Sequence, residues 1–151
     1  TAQERRDEIV EQAKADVERL RTNNRLWRTF DITFDINRES RTVEAVAKKP
    51  NSRTAFYGTA ICAPDDCFNI HIGEAIALHR ALGLEVPDEY LNAPQPTEVR
   101  VGDVVMSIAD KSKVYVIVDD EKRLIDGEAA RTSIVAEYGK IIDDSRTGVE
   151  E

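Results

Sequence analysis

Apolar and polar residues alternate strictly between positions 29 and 36, and this alternation constrains the fold more than any other feature of the sequence. The apolar residues are Phe30, Ile32, Phe34 and Ile36, and the polar residues between them are Thr29, Asp31, Thr33 and Asp35. Successive side chains of a β-strand point to opposite faces of its sheet. The pattern therefore predicts a strand at 29–36, in a sheet that is covered on one side only.

Two further strands and two helices are predicted around this strand. Residues 42–48 and 55–62 have the composition of strands and are separated by turn-forming residues. Gly58 marks either a bulge or a close approach of another backbone. We expect the three strands to form an antiparallel sheet with both helices on one face, so that residues 1–83 form an α-β-β-β-α domain.

Both helices are predicted from apolar residues at helical spacing. The first helix has one apolar stripe, formed by Ile9, Val10, Ala13, Val17 and Leu20. Thr1 and Glu4 have the spacing of a capping box, and Asn23-Asn24 is expected to end this helix. The second helix covers residues 70–82, and Gly83 occupies the position where a left-handed residue commonly ends a helix.

The remainder of the chain is predicted to be a linker and a small β domain. Residues 84–98 contain Pro87, Pro94 and Pro96, which stiffen a connector that has one helical turn at 88–91. Five short apolar runs follow within 99–145, at Val104–Ile108, Val114–Val118, Arg123–Ile125, Ser133–Ala136 and Ile141–Ile142. So many short strands favour a small β-barrel. Residues 146–151 form a charged tail, and the fold class is α+β.

The charge balance excludes a general attraction to nucleic acid but leaves one basic stretch. The chain has 151 residues and a formal net charge of −8, with a pI of about 4.9. Residues 19–53 carry nine basic and four acidic groups, whereas 54–151 carry nine basic and 19 acidic groups. Charge runs usually mark a solvated face, so the basic stretch has either that role or a role in binding.

The sequence also predicts a cytoplasmic protein with no membrane segment. No apolar run approaches the roughly 18 residues that a membrane-spanning helix needs, and no secretory leader is recognisable. Cys62 and Cys67 are the two cysteines. A secreted disulfide scaffold would have more, so both are expected to be reduced thiols.

The residues that most often carry catalysis or bind metals are few and poorly spaced. Cys62 and Cys67 are separated by four residues rather than the two that are common in zinc sites. His71 could pair with Glu74 across one helical turn, or with Cys67 as a nucleophile and base, but no glycine-rich loop or oxyanion nest surrounds them. We therefore predict no catalytic residue, no metal and no cofactor, and the chain is not expected to be an enzyme.

Several segments resemble two families without an established activity. The resemblance to both lies in Gly58–Asp66, Ile72–Ala77 and Arg80–Leu82. One group consists of small actinobacterial proteins with a β-β-β-α core like that of a double-stranded-RNA-binding domain. The other is a family of phage and prophage proteins, in which a helix opening similar to Asn69–Gly73 continues into a segment similar to Val86–Pro96. This resemblance covers about residues 5–106, and it implies a fold and a bacterial host cell rather than an activity. Val101–Val105 also resembles the opening of SH3-like barrels.

The residues argue against carrying RNA binding over from the fold. A double-stranded-RNA-binding domain places lysines at the start of its second helix, where they meet phosphates. Here the corresponding residues include Asp65 and Asp66 and no lysine. Arg38 and Arg41 flank the first hairpin, which touches the minor groove in that fold. A nucleic-acid-binding module that uses the basic 19–53 segment remains the alternative function.

The favoured function is protein binding by an accessory protein of the phage type. Trp27 lies between Arg25 and Arg28, and it is interpreted either as a partly buried lid over the sheet or as an aromatic anchor for a partner. Asp119, Asp120 and Glu121 form an acidic turn that would suit a basic surface of a host protein. They would otherwise serve solubility alone.

Overall fold

The computed structural model of this chain describes residues 1–118, 129–131 and 139–147, with backbone alone at 129–131. The chain divides into two compact units. The first comprises Gln3–Pro64 and Ile70–Pro94, and the second comprises Asp65–Asn69 together with the described residues from Gln95 onward. No helix among the described residues is long and apolar enough to cross a membrane.

The first unit begins with helix α1, Ala2–Leu26, which buries the predicted apolar stripe. The predicted capping box is present, and the Glu4 N–H donates to Thr1 Oγ over 3.1 Å. The expected stop at Asn23-Asn24 is wrong, because α1 continues to Leu26. The Asn24 side-chain amide donates to the Leu20 carbonyl over 2.8 Å, so this residue stays within the helix and satisfies a backbone group there.

Three antiparallel strands follow in the order β1-β2-β3. They are β1 at Asp31–Asn37, β2 at Thr42–Lys48 and β3 at Ala55–Ile61. Strand β1 starts two residues later than predicted, and β3 ends one residue earlier. Asp31 pairs with Lys48, and Thr42 pairs with Ile61. In β1 the apolar Ile32, Phe34 and Ile36 are less exposed than the polar residues between them, so the alternation correctly predicted the buried face of the sheet.

Both helices lie on the apolar face of this sheet, as predicted. Helix α2, Ile70–Ala81, approaches so closely that a Cβ on Gly58 would be 2.1 Å from the Ala77 carbonyl oxygen. Gly58 therefore marks a close backbone approach, since β2 and β3 pair through it without a register shift. Helix α1 reaches the same face, where the Arg21 guanidinium lies 5.5 Å from the centroid of the Phe34 ring.

The segment that follows α2 is held against α1. Gly83 has a φ of 70°, so it ends α2 in the left-handed conformation that the sequence predicts. The predicted helical turn is present as α3, Asp88–Leu91. Its Tyr90 is buried and donates to a carboxylate oxygen of Asp16. Arg6 in turn donates to the Pro94 carbonyl over 3.0 Å, so part of the expected connector packs within the first unit.

The second unit contains a four-stranded sheet in the order β6-β5-β4-β7. Its strands are β4 at Val104–Ser107, β5 at Val114–Val118, β6 at Ala129–Arg131 and β7 at Gly139–Asp143. Strand β4 is antiparallel to both β5 and β7, whereas β6 is parallel to β5. The core beneath them consists of Cys67, Val105, Ile117 and Ile141.

The expected closed barrel is not found among the described residues. In that part of the chain β6 and β7 lie at opposite ends of the strand order, with no pairing between them. The predicted strands Arg123–Ile125 and Ser133–Ala136 lie outside the described residues. At the start of the expected charged tail, Arg146 donates to the buried Asp103 carboxylate over 3.0 Å.

Candidate binding surface

Trp27 is the most exposed large apolar residue in the described part of the chain. Its exposed fraction is 81%, and that of the preceding Leu26 is 72%. The interpretation of Trp27 as a partly buried lid over the sheet is therefore wrong. Exposed tryptophan is uncommon, because its large ring is usually mostly buried. The arginines on either side, Arg25 and Arg28, are exposed as well.

The backbone that holds Trp27 outward is a hydrogen-bonded helix end. The Arg28 N–H donates to the Arg25 carbonyl over 3.2 Å, and the Thr29 N–H donates to the Asn24 carbonyl over 3.0 Å. This pair of bonds is the Schellman motif, which requires a left-handed residue just after the helix. Arg28 supplies it with a φ of 51°. Trp27 is therefore presented from a fixed backbone rather than from a loose loop.

Three further cations lie at the same end of the sheet. Lys48 pairs with Asp31, the first residue of β1, and Lys49 and Arg53 belong to the turn that follows β2. Only two residues lie between Arg28 and Asp31, so the backbones at Arg28 and Lys48 are within roughly 15 Å of each other. All three side chains are exposed. We call the set the Trp27 surface: Arg25, Leu26, Trp27, Arg28, Lys48, Lys49 and Arg53.

An aromatic pair supports this end of the sheet from the helix-facing side. The rings of Phe30 and Phe56 meet edge to face, with centroids 5.7 Å apart and planes at 85°. Phe56 is 46% exposed, so this pair borders solvent. Edge-to-face contact is a favoured geometry for aromatic rings, and here it joins the residue before β1 to β3.

The predicted residues Arg38 and Arg41 lie at the other end of β1. Seven strand residues, at about 3.3 Å each, place this hairpin roughly 20 Å from the Trp27 surface. The Arg41 guanidinium donates to the Pro64 carbonyl over 3.1 Å and to Cys62 Sγ over 3.2 Å. Arg41 therefore joins the hairpin to the end of β3. The structure brings Arg25, Trp27 and Arg28 together, but not with this pair.

The acidic residues proposed for binding, Asp119, Asp120 and Glu121, lie outside the described residues. The turn that precedes them in the described sequence contains Asp110. Its carboxylate accepts from the Ser112 hydroxyl over 2.6 Å and from the Ser112 N–H over 3.0 Å. The hydrogen bond from the Ser112 hydroxyl, followed by the one from its N–H, lowers the pKa of Asp110. This carboxylate organises its own turn.

The two cysteine thiols and the ring of His79 are packed or hydrogen-bonded within the fold. Cys67 lies in the core of the second unit, whereas Cys62 is half-buried beside Arg41 in the first. His79 is buried, with Nδ1 2.6 Å from the Ala75 carbonyl oxygen. Among the described residues, no group of three or more histidine, cysteine, aspartate or glutamate side chains could hold a metal ion.

One polar cluster lies between α1, α2 and the sheet. His71 Nδ1 is 3.9 Å from Glu74 Oε1, which fits the predicted pairing across one turn. Burial raises the pKa of Glu74, and the positive charge of Arg21 acts in the opposite direction. Arg21 also lies over the Phe34 ring, so the cluster connects the helices to the sheet.

No family model matches this chain, and no match was found among curated proteins or solved structures.

Proposed function

We propose that this chain is a non-catalytic binding protein that presents the Trp27 surface to another protein. The observation that carries the proposal is the 81% exposure of Trp27 beside two exposed arginines. Tryptophan and arginine are the residues most enriched at the energetic centres of protein interfaces. Covering the Trp27 ring would remove on the order of 200 Å² from water, a gross gain of about 5 kcal/mol.

The fixed backbone strengthens this proposal. Binding is weakened by the entropy lost when mobile groups become ordered. Trp27 follows directly on a 25-residue helix, and the Schellman hydrogen bonds hold the residues after it. A partner would therefore meet a side chain whose backbone is already in place.

The resemblance to phage and prophage proteins supports an accessory role in a bacterial host cell. On this proposal the first unit is an α-β-β-β-α domain like a double-stranded-RNA-binding domain, used for protein contact. The second unit is proposed to be related to SH3-like barrels. A contact between a basic host surface and Asp119, Asp120 and Glu121 stays a prediction, because these residues lie outside the described part.

The test is a titration with a partner captured from a bacterial lysate. Trp27→Ala should weaken binding about 30-fold, as expected for a central interface residue. Its thermal unfolding should match that of the wild type, because the side chain is exposed. Leu91→Ala is the matched control, since Leu91 is also exposed in the first unit but lies outside the Trp27 surface. Equal affinities of Trp27→Ala and the wild type would refute the proposal.

Binding of single-stranded nucleic acid is the second candidate function. It is favoured by one observation, the strand register that brings Lys48, Lys49 and Arg53 to the end of the sheet where Trp27 is exposed. Single strands bind to positive grooves through bases stacked on aromatic rings. A salt-sensitive gel shift with oligodeoxythymidylate that needs Trp27 would establish this function instead.

A further inference from the structure

We infer that the Trp27 surface recognises an acidic segment of a partner protein, and that this segment inserts an apolar side chain against Leu26 and Trp27. The inference rests on the proposed function and adds the chemistry of the partner. It follows from the positive charge at this end of the sheet and from the aliphatic side chain next to the Trp27 ring.

The charge of the surface selects an acidic partner. Five exposed cations lie at the end of the sheet where the apolar pair is exposed, and they are Arg25, Arg28, Lys48, Lys49 and Arg53. Within the described part of the chain, none of the five forms an ion pair. Asp31, which pairs with Lys48 in the sheet, adds one acidic group at this end. Charges interact effectively within about 8 Å in physiological salt, so a bound segment is affected mainly by this local excess of positive charge.

The apolar part of the surface fits a protein side chain better than a row of bases. Leu26 and Trp27 are consecutive and both exposed, so an aliphatic group and a ring are presented next to each other in the chain. Proteins that bind single strands stack successive bases on several rings. The exposed Leu26 side chain next to Trp27 is aliphatic and gives a base nothing to stack on, and the other exposed rings of the described residues, Phe56 and Tyr57, lie on β3. Leu26 beside Trp27 suits an inserted apolar side chain.

The charge of the whole chain points the same way. Its net charge of −8 disfavours the approach of a long phosphate backbone, which extends far beyond the local cations. A short segment with a few carboxylates can meet the cations at this end of the sheet without bringing a long run of negative charge near the rest of the chain.

The experiment is a selection from a displayed library of random peptides of about 12 residues, on the intact chain, with counter-selection on Trp27→Ala. Enriched peptides should contain more acidic than basic residues and at least one large apolar residue. Their affinity should fall at least about 10-fold in Trp27→Ala and in the double variant Arg25→Ser, Arg53→Ser. It should also fall as salt increases. Arg38→Ser, which changes an exposed cation at the opposite hairpin, should bind as the wild type does.

Four outcomes would overturn the inference. They are the absence of enriched peptides, enrichment without an acidic bias, tighter Trp27-dependent binding of oligodeoxythymidylate than of any selected peptide, and Trp27-dependent self-association of the chain. If neutral peptides are selected and need Trp27, the proposed function stands and this inference alone fails. If a captured host partner binds Trp27→Ala as well as the wild type, the proposed function itself fails.

Discussion

Arg28 occupies a position that usually belongs to glycine. The helix ends of α1 and α2 have the same hydrogen-bond pattern, with Gly83 in the left-handed position after α2 and Arg28 in that position after α1. A residue with a side chain pays about 1–2 kcal/mol for this conformation. Backbone strain of this kind is concentrated at functional sites. The charged group beside Trp27 is therefore present at a cost to stability.

Arg28→Gly should raise the free energy of unfolding by about 0.5–1 kcal/mol. Relief of the left-handed strain exceeds the added entropy of a glycine in the unfolded chain. Urea denaturation at neutral pH would measure the change. The variant should also bind an acidic partner more weakly, because one of five cations is lost. A loss of stability would contradict the account of strain at this position.

Glu74 provides a second prediction at this scale, in the form of a pH dependence. Burial raises the pKa of Glu74 above its ordinary value of 4.5, so the folded chain binds this proton more tightly than the unfolded chain. Its contribution to stability is greatest at low pH and declines as the pH rises above 4.5 towards the folded pKa. In Glu74→Gln the side chain cannot ionise, so the part of the loss of stability with rising pH that comes from Glu74 is absent.

The free energy of unfolding of Glu74→Gln, relative to the wild type, should therefore increase as the pH rises from about 4 to 7. Denaturation at several pH values would measure this difference. His71 lies 3.9 Å from Glu74, so the comparison is repeated with His71→Gln in both proteins to remove any contribution of its ring. A difference that stays constant with pH would contradict the expected burial of this carboxyl group.

At the scale of elements, the contact between α2 and β3 depends on Gly58. An added Cβ would lie 2.1 Å from the Ala77 carbonyl oxygen and 2.4 Å from the Ala81 nitrogen. Both atoms belong to the backbone of α2, so no side chain can rotate away to make room. The helix can lie this close to the sheet only while this position lacks a side chain.

Gly58→Ala should lower the free energy of unfolding by about 3 kcal/mol, because overpacking would force α2 away from the sheet. Gly83→Ala is the matched control. At Gly83 an added Cβ has nothing within 4 Å, and the cost comes only from its φ of 70°. That cost should be about 1 kcal/mol. Thermal unfolding of both variants measures how much stability each substitution costs. Equal losses of stability in the two variants would show that the close approach of α2 to Gly58 does not require a glycine.

The elements of the first unit could be predicted because each has a strong periodic pattern. The alternation in β1 and the stripe in α1 reflect one buried face each, and Gly83 reflects a backbone requirement. The end of α1 could not be placed in the same way, because Asn24 satisfies a helix carbonyl instead of stopping the helix. Strand β6 was also missed. Its three residues are too few for a pattern, and its parallel pairing with β5 has no local signal.

At the scale of the whole molecule, the candidate site depends on long-range pairing that the sequence does not display. Arg25, Trp27 and Arg28 were recognisable because they are neighbours in the chain. The contribution of Lys48, Lys49 and Arg53 required the pairing of Asp31 with Lys48 across the sheet. The exposure of Trp27 depends on which surfaces the packed helices leave uncovered. Composition alone favoured burial, and that expectation was wrong.

The distribution of charge leads to a last prediction, which concerns duplex RNA. The acidic pair Asp65 and Asp66 precedes α2 in the sequence, where a double-stranded-RNA-binding domain would have lysines. The cations of the Trp27 surface lie roughly 20 Å from the β1–β2 hairpin that would enter the minor groove. The molecule as a whole carries a net charge of −8. Binding of duplex RNA should therefore be weak and sensitive to salt.

Titration with a duplex of about 20 base pairs at physiological salt would measure this affinity, and dsRNA-binding domains span about 16 base pairs. A dissociation constant near the roughly 10⁻⁸ M of specific complexes would contradict the prediction. The double variant Asp65→Lys, Asp66→Lys provides the comparison, because it replaces the two acidic groups with the lysines that a double-stranded-RNA-binding domain would have there. If the acidic pair is the obstacle, this double variant should bind the duplex more tightly than the wild type, and the gain should disappear at high salt because it comes from phosphate contacts. Equal binding by both proteins would assign the weak affinity to the rest of the surface.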